Sequence, residues 1–312
     1  MALESGNTYT DIVTNYSGEL LSIGNNATPF LQMLGGMGGI RPVTSTQFAM
    51  AETYDVGDGA QPAIAESGSI TPTAAYVTRA QEFNVVQIFQ YAWNISYSKL
   101  GETAQYGGIN ARLPADMIDD ERSRQEIALM LRTAKNLEKS IIAGAFADRV
   151  DSDTAVKTRG ISTAISTLAT DASGAALSKT LLQGLWKAYA DANSWSDAMV
   201  VWVNSFQKQK LNDIYGLAER DMMVGGVNLS QILTDFGPVG VQYSPAVPTD
   251  EVMLVDMSVC SIVGKNIPGK GVFFSETLGK TGASEKGQIY GELGIDYGSE
   301  SKHAKLDDLA VS

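Results

Sequence analysis

The chain has 312 residues, 44% of them hydrophobic, and a formal net charge of −12, enough apolar material for one large or two medium domains and too much for a mainly disordered chain. The acidic balance argues against a dedicated nucleic-acid reader, whose phosphate contacts demand a basic surface; a wall that stands near DNA without gripping it is compatible with it. The single cysteine, Cys260, excludes a disulfide within the chain and points to a reducing compartment.

Residues 1–43 are rich in Asn, Thr, Ser and Gly, with scattered apolar anchors at Leu20, Leu21, Ile23, Phe30 and Leu31. Such a segment drapes over other surfaces rather than folding alone. Its start, Met-Ala-Leu-Glu-Ser-Gly-Asn, has no basic region followed by an apolar stretch, and no run of about 18 apolar residues occurs anywhere. Synthesis in the cytosol and no membrane partner are expected.

Residues 44–98 read as a long hairpin. Phe48, Met50, Tyr54 and Val56 alternate on the outgoing strand, and Gly57 to Pro72 make a wide polar tip. The returning strand, Phe83 to Tyr97, places Phe83, Val85, Phe89, Tyr91, Trp93, Ile95 and Tyr97 on alternate positions, which is strand periodicity with one greasy face. At about 3.3 Å per residue this run extends roughly 50 Å, against about 17 to 20 Å for an ordinary strand. A single copy is not expected to shelter this ribbon, so sister copies must. The hairpin carries Glu52, Asp55, Asp58, Glu66 and Glu82 against one basic residue, Arg79.

From Pro114 the period changes to that of a helix. Pro114 suits the first turn, Asp116, Asp119, Asp120 and Glu121 complement the dipole, and Ile127, Met130, Ala134, Leu137 and Ile141 recur at spacings of three and four. Running to Ala147, this helix is a beam roughly 45 to 50 Å long. Its other faces carry Arg122, Arg124, Arg132, Lys135 and Lys139, a stripe able to receive an acidic arm. After a polar turn at 148–157 the chain alternates: helix 178–193, strand 198–204, helix 205–215, strands near 239–243 and 251–263, then strands 271–275 and 288–297 around a Gly-rich turn. Cys260, in the apolar run Val252 to Val263, reads as a small buried hydrophobe.

Nothing in this order builds an active site. His303 is the one histidine, which excludes a histidine triad or a multi-histidine metal site, and it reads as an exposed tail residue. Gly279-Lys280-Thr281 ends like a phosphate-binding loop, but Phe274 stands where the cradle needs glycine. Asp148, Asp151 and Asp153 lack the spacing and turn glycine of a calcium loop and read as a solvated turn. The aromatic stripe lacks the interleaved Lys and Arg of a base-stacking platform. No cofactor, no metal and no enzymatic activity are expected.

The order of parts resembles the major capsid protein of tailed bacteriophages, with the capsid fold named after the Hong Kong coliphage. Phe83 to Lys99, Lys135-Asn-Leu-Glu-Lys-Ser-Ile-Ile-Ala-Gly144, Arg159-Gly160-Ile161 and Ile289-Tyr-Gly-Glu-Leu-Gly-Ile-Asp-Tyr297 carry the likeness. The resemblance implies an α+β subunit: N-terminal arm 1–43, extended β-hairpin loop 44–98, peripheral domain 99–152 with a long spine helix, axial mixed α/β domain 153–263, and peripheral return strands 264–312. It implies self-assembly into pentamers and hexamers of an icosahedral shell, a virion location after synthesis in the host bacterial cytoplasm, and as partners packaged double-stranded DNA contacted weakly and non-specifically, with scaffolding, portal and decoration proteins. Some relatives seal their shells through a Lys of the extended loop; residues 44–98 contain none, so no such cross-link is expected. The contact residues expected between subunits are Glu66, Phe89, Tyr91 and Trp93 on the arm and Arg122, Arg124 and Arg132 on the helix, with Trp93→Ala blocking particles while sparing the fold. An encapsulin-like nanocompartment shell is the alternative, ahead of an α/β enzyme and of a tail-tube or surface-layer subunit.

Overall fold

The computed structural model describes residues 27–54, 76–98, 121–151, 153–192, 195–215, 221–224, 227–280 and 282–311. In chain order the elements are α1 (Pro29–Met33), β1 (Arg41–Val43), β2 (Gln47–Tyr54), β3 (Arg79–Val85), β4 (Gln87–Ser96), the spine helix α2 (Glu121–Ala143), α3 (Ile161–Ala164), β5 (Ala169–Asp171), α4 (Lys179–Ala192), β6 (Met199–Val203) and α5 (Ser205–Tyr215). There follow β7 (Asp221–Val224), β8 (Val227–Thr234), β9 (Gly237–Tyr243), β10 (Val252–Asp256), β11 (Ser261–Lys265), β12 (Phe273–Thr277), β13 (Ser284–Asp296) and β14 (His303–Asp307).

Strands β6 and β10 are apolar at nearly every position because both of their faces are covered, the pattern expected of central strands. They sit in a seven-stranded sheet of order β5-β14-β10-β6-β9-β8-β7. Val200, Trp202, Met253 and Val255 face a core shared with α1 and α2, while Met199, Val201, Val203, Val252 and Leu254 face one built with Leu182, Leu185 and Trp186 of α4 and Leu211 of α5. A one-residue slip would exchange the two faces, so the register is pinned from both sides.

A second sheet of five strands is organised by β13, which pairs β4 on one side and β12 and β11 on the other; β1 adds in parallel beyond β11. The run expected as one strand over 251–263 is therefore two strands in two sheets, and Met257, Ser258, Val259 and Cys260 make the crossing. Cys260 is half-buried there, as a small apolar contact of the core, and burial with nearby Asp256 and Asp296 pushes its thiol well above the ordinary range.

The ribbon from Phe83 to Tyr97 is also divided. β3 pairs with β2 in a two-stranded sheet, and after Val86 the chain turns into β4 and joins β13 over ten residue pairs. Asn84 makes the elbow. Fully buried, it donates from Nδ2 to the carbonyls of Arg159 (3.1 Å) and Ile295 (2.9 Å) and accepts from the backbone N–H of Val85 and Arg159 at 2.9 Å each. A buried amide that satisfied is costly to move. It fixes where the projecting hairpin leaves the body.

Two further expectations are corrected. His303 is no tail residue: it is fully buried on β14, where Nδ1 accepts from the Asp256 N–H (3.3 Å) and Nε2 therefore donates to the Tyr297 carbonyl (2.8 Å). Burial pushes its pKa down, so the ring is neutral and structural. The spine helix ends at Ala143 rather than Ala147, and its described part, Glu121–Ala143, is about 35 Å long. Its stop is Gly144, where a Cβ would stand 2.2 Å from the Ser140 carbonyl and 2.8 Å from that of Thr158. Leu20, Leu21, Ile23, the hairpin tip and Pro114 to Asp120 lie outside the described residues.

Candidate functional site

With no cluster of three or more metal-ligating side chains among the described residues, the surfaces that remain to explain are apolar. They are set by what the spine helix covers. β4 presents Phe89, Trp93 and Ile95 to the body at 3%, 5% and 3% exposure, with Tyr91 half-buried between them. The helix lies across this face. Arg122 stacks over the Trp93 ring (5.3 Å) and Arg132 over Tyr91 (5.1 Å), while Asn136 donates to the Tyr91 hydroxyl (2.5 Å). Beneath Trp93 lies Gly287 of β13, whose missing side chain makes the room: a Cβ there would meet the indole at 2.4 Å.

The expectation that only sister copies shelter the aromatic ribbon is thus corrected for Val85, Phe89, Trp93 and Ile95, while Phe83 and Tyr97 at its two ends stay exposed. Phe89 and Trp93 are core residues of their own subunit, and Arg122 and Arg132 stack on the ribbon of their own chain. The physical reason is the break at Val86, which turns one ribbon of about 50 Å into two ordinary strands, the second short enough for one helix and one strand partner to cover. Arg124 is half-buried on the same helix, and Glu66 lies outside the described residues. Of the proposed contact residues, the six that are described do not form one exposed patch, because Phe89 and Trp93 are buried.

What is left uncovered is different. The helix stripe read from Ile127 to Ile141 is buried only in its second half: Leu137 and Ile141 are fully buried, but Ile127, Met130 and Leu131 are 58%, 43% and 42% exposed. At spacings of three and four these form one ridge, on a helix whose other half is sealed in the core. The hairpin offers a matching surface, with Tyr54, Tyr76 and Val77 all exposed near the Tyr54–Arg79 end of β2 and β3. A third apolar point, Leu233 and Phe236, lies at the β8–β9 turn, where Phe236 packs on Trp195. Of the three, the α2 ridge groups its apolar side chains on one helix face and is the candidate interaction surface.

Sequence reasoning missed the ridge because periodicity reports which residues share a face, not whether something covers it. The one available signal was Leu131, off the core stripe yet adjacent to it. Leu233 and Phe236, in a turn whose polar neighbours suggested only solvent, gave no signal.

A family model described as the SU10 major capsid protein matches residues 3–310. No curated protein matches the chain. Among solved structures it is similar to the capsid of cyanophage A-1(L), at 11% identity over 98% of this chain and 99% of that one, with a TM-score of 0.65. It is similar to the capsid of the Myoviridae phage XM1, at 15% identity over 97% and 99%, with a TM-score of 0.56. It is also similar to the SrpI encapsulin of Synechococcus elongatus PCC 7942, at 12% identity over 96% and 93%, with a TM-score of 0.59. At these identities the likeness is one of fold.

Proposed function

The chain belongs to the SU10 major capsid protein family, a family of structural virion subunits, and from that premise we propose that copies of it close into the pentamers and hexamers of an icosahedral shell around phage double-stranded DNA. The observation that carries the proposed contact is the bare ridge Ile127, Met130 and Leu131 on a helix that buries Leu137, Ile141 and Ile142 in the core of its own subunit. The acidic hairpin of a neighbouring subunit lies along it, bringing Tyr54, Tyr76 and Val77 against the ridge and Glu66 toward the basic stripe near Arg124. Such contacts, at the roughly 1,200 to 2,000 Å² of a stable interface, close a shell by repetition around symmetry axes.

On this reading residues 1–43 are the arm, 44–98 the extended loop, 99–152 and 264–312 the peripheral domain, and 153–263 the axial domain nearest the symmetry axes. The negative chain keeps packaged DNA in weak, non-specific contact. Scaffolding, portal and decoration proteins complete the particle, whose subunits are made in the host bacterial cytoplasm. The encapsulin likeness supports a second reading, a nanocompartment shell around a protein cargo.

Negative-stain electron microscopy of the purified protein tests the class: closed polyhedral particles support it, and tubes, sheets or monomers at high concentration contradict it. Nuclease-protected DNA in particles from infected cells separates virion from nanocompartment. On a denaturing gel, boiled particles are expected to run as a single monomer band, because residues 44–98 offer no lysine for a cross-link; a covalent ladder would refute that expectation.

A further inference from the structure

One carboxylate stands apart from the charge pattern of this protein. Glu138 is 1% exposed, in the second half of α2, and it faces the core that the spine shares with α1 and the seven-stranded sheet. Ser244 Oγ, in the turn after β9, donates to Glu138 Oε1 (2.6 Å), and the Leu31 N–H of α1 approaches Oε2 at 3.4 Å. Three parts of the chain therefore meet on one side chain: the N-terminal arm, the spine and the seven-stranded sheet.

The elements packed around this carboxyl bring it hydrogen bonds rather than a cation. α1 is Pro29-Phe30-Leu31-Gln32-Met33, the turn after β9 is Ser244-Pro245-Ala246-Val247, and β6 brings Trp202, with the Phe30 ring 4.8 Å from the indole. On α2 itself the charged neighbours one turn or less away are Lys135 and Lys139; Lys139 is exposed and Lys135 half-buried. Burial outweighs the hydrogen bonds from Ser244, Leu31 and Phe30 and raises the pKa of Glu138 to about 7.

We propose that Glu138 is a proton-operated latch for the N-terminal arm: the neutral acid holds α1 down on the spine, and ionisation releases α1 so that water reaches the carboxylate. α1 is the element that yields, because it is five residues long and caps the site, whereas Ser244 and α2 belong to the sheet and the main helix. The latch belongs to the single subunit and does not depend on how subunits assemble.

The sign follows from linkage. A carboxyl whose docked-state pKa lies above its free value favours docking fully below the free value, 4.5, and loses that contribution as pH rises to about 7. Release of α1 therefore rises with pH up to about 7 and levels off above that.

The test is chymotrypsin cleavage after Phe30, fully buried while α1 is docked, read by mass spectrometry against cleavage after Tyr76, which is 89% exposed, with the full-length chain from pH 5 to 8.5. The ratio of the two is expected to climb and then level off near pH 7. In Glu138→Gln, a neutral side chain of the same shape, it stays flat at the low-pH value. In Ser244→Ala, which removes a bond that favours the charged form, levelling-off moves to higher pH. A flat wild-type ratio, or a Gln variant that keeps the wild-type slope, overturns the latch; should the Gln variant not fold, an unshifted Ser244→Ala profile overturns it equally.

Discussion

Replacing Trp93 with alanine is expected to cost the subunit about 3 to 5 kcal/mol of its own stability, the range for removing a buried tryptophan or phenylalanine. The site cannot collapse to refill the space. Below the indole is Gly287, which has no side chain to move inward, and above it is Arg122, whose guanidinium would lose its ring and face an apolar void. The loss is a large share of the roughly 5 to 15 kcal/mol that holds a domain together. Urea denaturation of the soluble subunit measures it as a fall in the midpoint without a change in slope. A variant that unfolds at the wild-type urea concentration yet fails to assemble would restore Trp93 to the contact between subunits.

Met130→Asp is expected to do the reverse. Met130 is 43% exposed beside Ile127 and Leu131, so the substitution falls on the surface of the isolated subunit, where changes lie within about 0.5 kcal/mol. In the assembled shell the same carboxylate would be pressed against the neighbour's Tyr54, Tyr76 and Val77. Burying a charge without a partner costs several kcal/mol per contact, and every contact in a closed shell carries it. The expected result is a subunit with wild-type urea unfolding and no particles by sedimentation or electron microscopy. Normal particle yield from Met130→Asp would remove the ridge from the interface.

These two predictions divide the aromatic and aliphatic surfaces in a way the sequence did not make visible. Alternation along Phe89 to Ile95 reports one buried face, and the face is buried; what covers it depends on the elbow at Val86, which rests on Asn84 reaching Arg159 and Ile295, residues 75 and 211 positions away. No local pattern encodes such a bridge. The same limit applies to His303, whose polar neighbours Ser301, Lys302 and Lys305 look like a tail until β14 pairs with β10 and closes over the ring. Helices α4 and α5 and strand β6 were legible because their signals are local: a 3.6-residue stripe with Leu182, Leu185 and Tyr189, a cap near Asn204, and a short run apolar on both faces. Glu138 was one acid among 35 in the composition, and only the fold singles it out by burial.

A cryo-electron microscopy map of the assembled particle decides most directly between a contact made by the ridge and one made by Trp93. The expected map is a closed icosahedral shell in which Trp93 lies between Arg122 and Gly287 of its own subunit and a neighbour's hairpin covers Ile127, Met130 and Leu131. A shell in which that ridge faces solvent, or in which Trp93 has left its pocket to enter the adjacent subunit, would contradict it.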